Sequence, residues 1–207
     1  WLPFYHDMGL IGSVLGIPYL GAVATLFSPL DFLKRPLRWL EAISHYGVTT
    51  ISGAPDFAYA YTARRATAEE IEGLDLSRWH FAFCGAEPIQ AATIDRFVEV
   101  FGRCGLRRSA FCPSYGLAEA TLYVSASPGG ATPRVLGVDG AALQRGIVRP
   151  GERPCVGCGR PDPEARVLVV EPGGVTPVAD GVVGELLVAG PHVAAGYWRR
   201  PEDPTFG

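Results

Sequence analysis

Leu37, Leu40, Ile43 and Tyr46 recur every three residues behind Pro36, a stripe that predicts a helix from Arg35 to Tyr46. A short apolar strand, Val48 to Ile51, is expected next, and then a Ser52-Gly53-Ala54-Pro55 loop. Asp56 to Arg65 reads as a second helix, with Asp56 placed to cap it. Trp79 to Cys84 alternates and stops at Gly85, as a strand would, and Ala91 to Gly102 sets Ile94, Phe97, Val98 and Phe101 on one helical face. This alternation predicts an α/β fold with a parallel-rich sheet, helices packed on it, and ligand loops at the strand carboxyl ends. The loops of interest are therefore Gly85 to Pro88 and Ser114 to Leu117.

Past Ser127 the pattern changes. Glycine and proline are dense as far as Pro163, and short β-branched runs follow at Val167 to Val170 and Gly184 to Val188. A β-rich second part is expected, with a boundary near Ser125. The residues from Met8 to Leu30 carry one apparent anomaly, 23 positions without a charged side chain, which is long enough for a membrane span. Gly9, Gly12, Gly16, Pro18 and Gly21 break that run, so it reads better as a buried helix, a turn at Pro18 and a buried strand.

Composition narrows the function classes. Of 207 residues 48% are hydrophobic, enough for a sizeable core, and the formal charge of -3 comes without a basic run. Nucleic acid is thereby set aside as a partner. Five cysteines, an odd number without a signal peptide, argue for reduced thiols and a cytoplasmic setting. The chain opens at Trp1 rather than Met and closes just after a Pro-Glu-Asp-Pro cluster, so it is expected to be an internal segment of a longer protein.

Four segments, in order, carry the chemistry: Trp1 to Gly12 (WLPFYHDMGLIG), Gly85 to Pro88 (GAEP), Ser114 to Thr121 (SYGLAEAT), and Gly184 to Gly190 (GELLVAG) leading to Gly196-Tyr197. Singly each is weak. Together, over nearly the whole chain, they resemble the adenylate-forming superfamily of acyl-CoA synthetases, luciferases and adenylation domains, and the first and third resemble its fatty acyl-AMP ligase branch. The resemblance implies part of that superfamily's large N-terminal domain: an acyl- and adenine-binding α/β subdomain at 1–125, an inserted segment at 126–154 and a truncated, barrel-like β-rich subdomain at 155–207.

It also implies roles. Glu119 would hold Mg²⁺ against the phosphates of ATP, in keeping with the preference of that ion for carboxylate and phosphate oxygens. Tyr115 would pack on adenine, with Ser114 and Gly116 beside it and Gly85, Ala86, Glu87 and Pro88 as the facing wall. The acyl pocket would draw on Met8, Gly9, Leu10, Ile11 and Gly12 and on Gly53, Ala54, Pro55, Asp56, Phe57, Ala58 and Tyr59. His6 invites a general-base role next to Asp7, but an ionised fatty acid needs no base, so His6 is assigned to positioning the carboxylate. A structural histidine held by Asp7 is the equal alternative. The stretch from Ser127 to Arg153 resembles the insertion typical of the acyl-AMP ligases, which docks apolar residues, here Val135, Leu136, Val138 and Leu143, and favours a carrier-protein thiol over CoA as acceptor. A phosphate loop before Trp1, and a ribose-binding Asp and a Lys after Gly207, complete the pattern in the family.

Two further motifs mislead. Ser127 to Arg134 looks like a phosphate loop but lacks the Gly-Lys-Ser/Thr ending, and Cys155-Val-Gly-Cys158 lacks a second pair to complete a zinc site. An acyl-CoA ligase of the same superfamily, and a degenerate domain that binds an acyl chain or carrier without catalysis, stay open as alternatives.

Overall fold

A computed structural model describes residues 1–46, 50–201 and 203–206. The chain enters through one helical turn, α1 (Asp7–Gly9), which runs into a π-helical stretch at Leu10–Leu15 and on into α2 (Gly16–Leu20). Gly21 ends this run in the left-handed region at φ 62°. α3 (Pro29–Lys34) starts at Ser28, whose hydroxyl accepts from Asp31 N at 3.1 Å. α4 (Leu37–Tyr46) buries Leu37, Trp39, Leu40 and Ile43, as its stripe requires.

Then come β1 (Thr50–Ala54), α5 (Asp56–Arg65), β2 (Trp79–Cys84), α6 (Ala91–Phe101) and β3 (Phe111–Tyr115). β1, β2 and β3 are parallel neighbours, with Ala54 opposite Cys84 and Cys84 opposite Pro113. β4 (Ser125–Ala126) adds to β3 antiparallel, and after β5 (Val135–Val138), α7 (Gly140–Gln144) and β6 (Arg153–Val156), β7 (Arg160–Pro161) extends the sheet beyond β4. β5 and β6 form one antiparallel ribbon, and β8 (Arg166–Val170) and β9 (Glu185–Ala189) form another.

Aromatic packing forms the core between sheet and helices. Tyr59 lies within 5.1 Å, ring to ring, of Trp39, Phe97 and Phe111, and Trp79 sits 5.1 Å from Trp39. Each such ring contributes about 1.5–3 kcal/mol by leaving water, with a further gain from edge-to-face contact.

Three expectations need amendment. Val48 and Thr49, the first half of the expected strand, lie outside the described residues; the strand is seen from Thr50. The Met8 to Leu30 run is not the expected buried helix, turn at Pro18 and buried strand: Pro18 lies inside α2 and the turn falls at Gly21, Tyr19 and Leu20 on that helix are 90% and 69% exposed, and residues 22–28 have no strand structure, with Val23 91% exposed. Among the described residues no neighbouring strand pairs with it, so its backbone has no ladder to join. Finally, among the described residues the β-rich part is two antiparallel ribbons and the short strands that extend the main sheet, and closes into no barrel. Its strands also run across the expected divisions: β4 contains residues 125 and 126, and Leu136 on β5 pairs with Cys155 on β6. In the inserted segment Val138 is buried and Leu143 half-buried, whereas Val135 and Leu136 are exposed.

Candidate nucleotide and acyl site

The parallel register carries the ends of β1, β2 and β3 to one edge of the sheet, and with them the 54–57, 85–88 and 115–121 loops. Gly85 lies against β3, where a Cβ would stand 2.8 Å from Ser114 O. The Ser114 hydroxyl donates to Cys84 O at 3.2 Å, tying the two loops together. Gly116 is more constrained, since a Cβ there would fall 1.7 Å from Leu122 O. Tyr115 ends β3 partly exposed, while its carbonyl accepts from Val124 N at 3.0 Å. Its ring is therefore open to a planar ligand while its backbone is fixed.

Glu119 rides on a single 3₁₀ turn, Ala118–Ala120, which Thr121 ends at φ 65°. A non-glycine residue in that region marks a backbone held by its surroundings. The holders are in the segment after β9: Thr121 Oγ1 donates to His192 O at 2.7 Å, and Ala194 N donates to Glu119 O at 2.8 Å. Tyr197 donates its hydroxyl to Glu119 Oε1. That bond holds the Glu119 carboxyl below the usual carboxylate range and raises the Tyr197 phenol in turn. Sequence reasoning marked Gly196-Tyr197 as part of a motif and missed this pairing, because 78 residues separate the partners.

The expected acyl residues divide. Gly12 faces the Glu119 loop, 3.7 Å from a Leu122 methyl to the place a Cβ would take, and Leu10 is 40% exposed. Met8 and Ile11 are half-buried and Gly9 is buried. Met8 and Gly9 belong to α1, and the π-helical stretch that carries Leu10, Ile11 and Gly12 is a rare conformation found often at functional sites. Gly53 and Ala54 end β1, and Phe57 opens outward at 47% exposure. Tyr59 is instead wholly buried, its hydroxyl donating to Phe83 O at 2.6 Å, and so belongs to the core. Ala58 is buried with it.

Asp56 does not cap its own helix. The cap position is Pro55, and the Asp56 carboxylate accepts from Gln90 N at 2.9 Å and Thr93 Oγ1 at 2.8 Å. Glu87 reaches the other way, accepting from Phe57 N at 2.7 Å. Ala86 and Pro88 are exposed, and Ala86 is left-handed at φ 65°.

His6 lies at the start of α1 with Nδ1 2.5 Å from Asp7 Oδ1. Nδ1 is also 3.1 Å from Met8 N, which bonds Asp7 Oδ1 at 2.9 Å. Nδ1 accepts from Met8 N, which sets the imidazole at the start of α1 beside the Asp7 carboxylate. Among the described residues no group of three or more His, Cys, Asp or Glu converges on a metal position. Glu119 is the carboxylate on the loop after β3, a donor of the kind that Mg²⁺ takes together with phosphate oxygens.

Parallel strands with glycine-containing loops at their carboxyl edge define an α/β domain of the class that binds ligands at that edge. The AMP-binding enzyme family model matches residues 1–198, and the chain belongs to that family. It is 45% identical to a medium-chain-fatty-acid–acyl-carrier-protein ligase of Teredinibacter turnerae, over 98% of this chain and 32% of that protein. A long-chain-fatty-acid–AMP ligase of Mycobacterium marinum is 42% identical over 100% of this chain and 36% of its own length. The solved fatty acyl-adenylate ligase of Legionella pneumophila, in complex with acyl adenylate and pyrophosphate, superposes with a TM-score of 0.92 at 41% identity. That match covers 98% of this chain and 36% of the Legionella chain. The chain thus spans about a third of the length of these relatives.

Proposed function

We propose that the full-length parent is a fatty acyl-AMP ligase. The fatty acid carboxylate oxygen attacks the α-phosphorus of ATP, the bond to pyrophosphate breaks, and acyl-AMP forms. A carrier-protein thiol then attacks the acyl carbon, expels AMP and loses its proton to solvent. The observation that carries this reading is the convergence of Gly85–Pro88, Ser114–Gly116 and Glu119 on one sheet edge, with the 53–57 segment beside them.

In this reading Tyr115 packs on adenine, and the backbone of the two loops reads its edge. Glu119 would supply one oxygen to Mg²⁺, which when bound would neutralise charge at the transferring phosphorus. His6 orients the fatty acid carboxylate, and Met8 to Gly12 with Gly53 to Phe57 line the alkyl chain, at about 0.8 kcal/mol for each CH₂ buried. The relatives named for acyl-carrier-protein and AMP ligation favour this over a CoA ligase. Five free thiols support a cytoplasmic setting, and among the described residues no helix is long and apolar enough to cross a membrane.

The test is ATP–pyrophosphate exchange by the full-length parent over a series of fatty acids. Wild type should exchange only when a fatty acid is present, and Glu119→Ala should lose about 10²-fold or more. Wild-type rates in that variant would remove Glu119 from the mechanism.

A further inference from the structure

Neither α5 nor α6 is capped by its own chain entry: Pro55 and Gln90, at their cap positions, make no side-chain cap bond. Each helix is instead capped by a carboxylate from the loop or helix of the other. Glu87, in the β2–α6 loop, takes Phe57 N of α5 at 2.7 Å, and Asp56, in the first turn of α5, takes Gln90 N and Thr93 Oγ1 at 2.9 and 2.8 Å. Bonds from N–H to an ionised carboxylate are about twice as strong as neutral ones, and the positive ends of both helices reinforce them. Asp56 is only 7% exposed, so those donors stand where water would otherwise solvate its oxygens.

The two loops so joined are those assigned to different substrates. They are neighbours by register, Ala54 opposite Cys84. Ala86, next to the Glu87 anchor, sits at φ 65°, a conformation unfavourable for a residue with a Cβ. The Glu87 bond is therefore positioned to hold a strained loop against α5.

We infer that Glu87 and Asp56 are positioning residues that lock the 53–57 segment to the 85–88 loop, so that the fatty acid and nucleotide subsites form or loosen together. This rests on the acyl-AMP ligase reading for the identity of the two substrates. Glu87 then touches neither substrate: its carboxylate is taken up by α5, and the loop presents backbone to the nucleotide.

The experiment uses the full-length parent with Glu87→Ala, Glu87→Gln and Thr93→Val. Gln keeps an acceptor oxygen for Phe57 N, and Val removes only the hydroxyl that Asp56 accepts from. In pyrophosphate exchange, Glu87→Ala should raise KM for both fatty acid and ATP by about tenfold, the size of a lost charged hydrogen bond, with Glu87→Gln restoring most of it. Thr93→Val should move both constants in the same direction by less. Amide hydrogen exchange gives the second readout: Glu87→Ala should speed exchange in 53–59 as well as in 85–90, and Thr93→Val should do so in both segments. A KM change confined to one substrate, or faster exchange in only one of the two segments, overturns the linkage. If wild type shows no fatty-acid-dependent pyrophosphate exchange, the ligase reading falls, and the hydrogen-exchange result alone decides the linkage.

Discussion

Tyr59 combines an apolar body packed among three rings with a hydroxyl that bonds Phe83 O at 2.6 Å. Tyr59→Phe should therefore fold but lose about 1–2 kcal/mol in urea unfolding. Burial pushes the Tyr59 phenol well above 10, and burial pushes the Cys84 thiol, at the end of β2, well above 9, with the Asp56 carboxylate adding to the shift at Cys84. Both groups are neutral when protonated, and the fold disfavours their anions. The unfolded chain thus releases these protons first, so their effect on stability is nil below about pH 8 and turns unfavourable as pH rises past the ordinary thiol and phenol values. Urea midpoints measured from pH 7 to 10.5 should fall above pH 9, and the Tyr59→Phe variant should fall less steeply at the upper end. A flat profile would place both groups closer to water than the structure does.

At the scale of elements, the amphipathic stripes were the legible part. α4, α5, β2 and α6 lie within two residues of where periodicity sets them, because each buries one regular face on a single core. The loops of the site were legible as motifs, but the bonds that hold them were not. Glu119 and Tyr197, or Glu87 and Phe57, meet only through the fold, and no local period announces them. Asp56 shows the limit: as a helix-start Asp it reads as a cap for its own helix, and it caps the neighbour instead. Residues 22–28 failed for the opposite reason, since hydrophobicity alone was read as burial. The Gly116 turn offers a test at this scale. Gly116→Ala must push its Cβ or Leu122 O away from a 1.7 Å approach, and should cost about 1–3 kcal/mol in thermal or urea unfolding while weakening nucleotide binding in the parent. A neutral substitution would mean the turn can open without loss.

The whole molecule pairs a well-filled core with an unusually apolar flank. Between residues 4 and 33 the chain exposes Tyr5, Tyr19, Leu20, Val23 and Leu30, each at least 65%. Monomeric proteins seldom leave such stretches open to water. The isolated 207-residue chain should accordingly bind an apolar dye such as ANS and self-associate, and replacing Tyr19 and Val23 by Ser should reduce both. Dye binding equal to that of a compact monomeric standard would count against the exposed arrangement. The same isolated chain, offered ATP, Mg²⁺ and fatty acids, should yield no acyl-adenylate by mass spectrometry. On the proposed reading this segment supplies Glu119 and the Tyr115 ring, and electrostatic catalysis of phosphoryl chemistry needs several fixed charges together.

Of the four indoles, Trp1 stacks on Phe32 beside the core pair, and the other three divide in a way that has an optical consequence. Trp39 and Trp79 lie 5.1 Å apart at an interplanar angle of 75°, in a setting without bulk water, while Trp198 is 85% exposed next to Tyr197. The inner pair is close enough for its transitions to couple, so it should emit blue-shifted light and give a strong near-ultraviolet circular dichroism band that vanishes when the core melts. Trp198 should emit to the red and be quenched by acrylamide. One emission spectrum of the native protein, taken with and without quencher, therefore separates the integrity of the core from the state of the segment that grips Glu119.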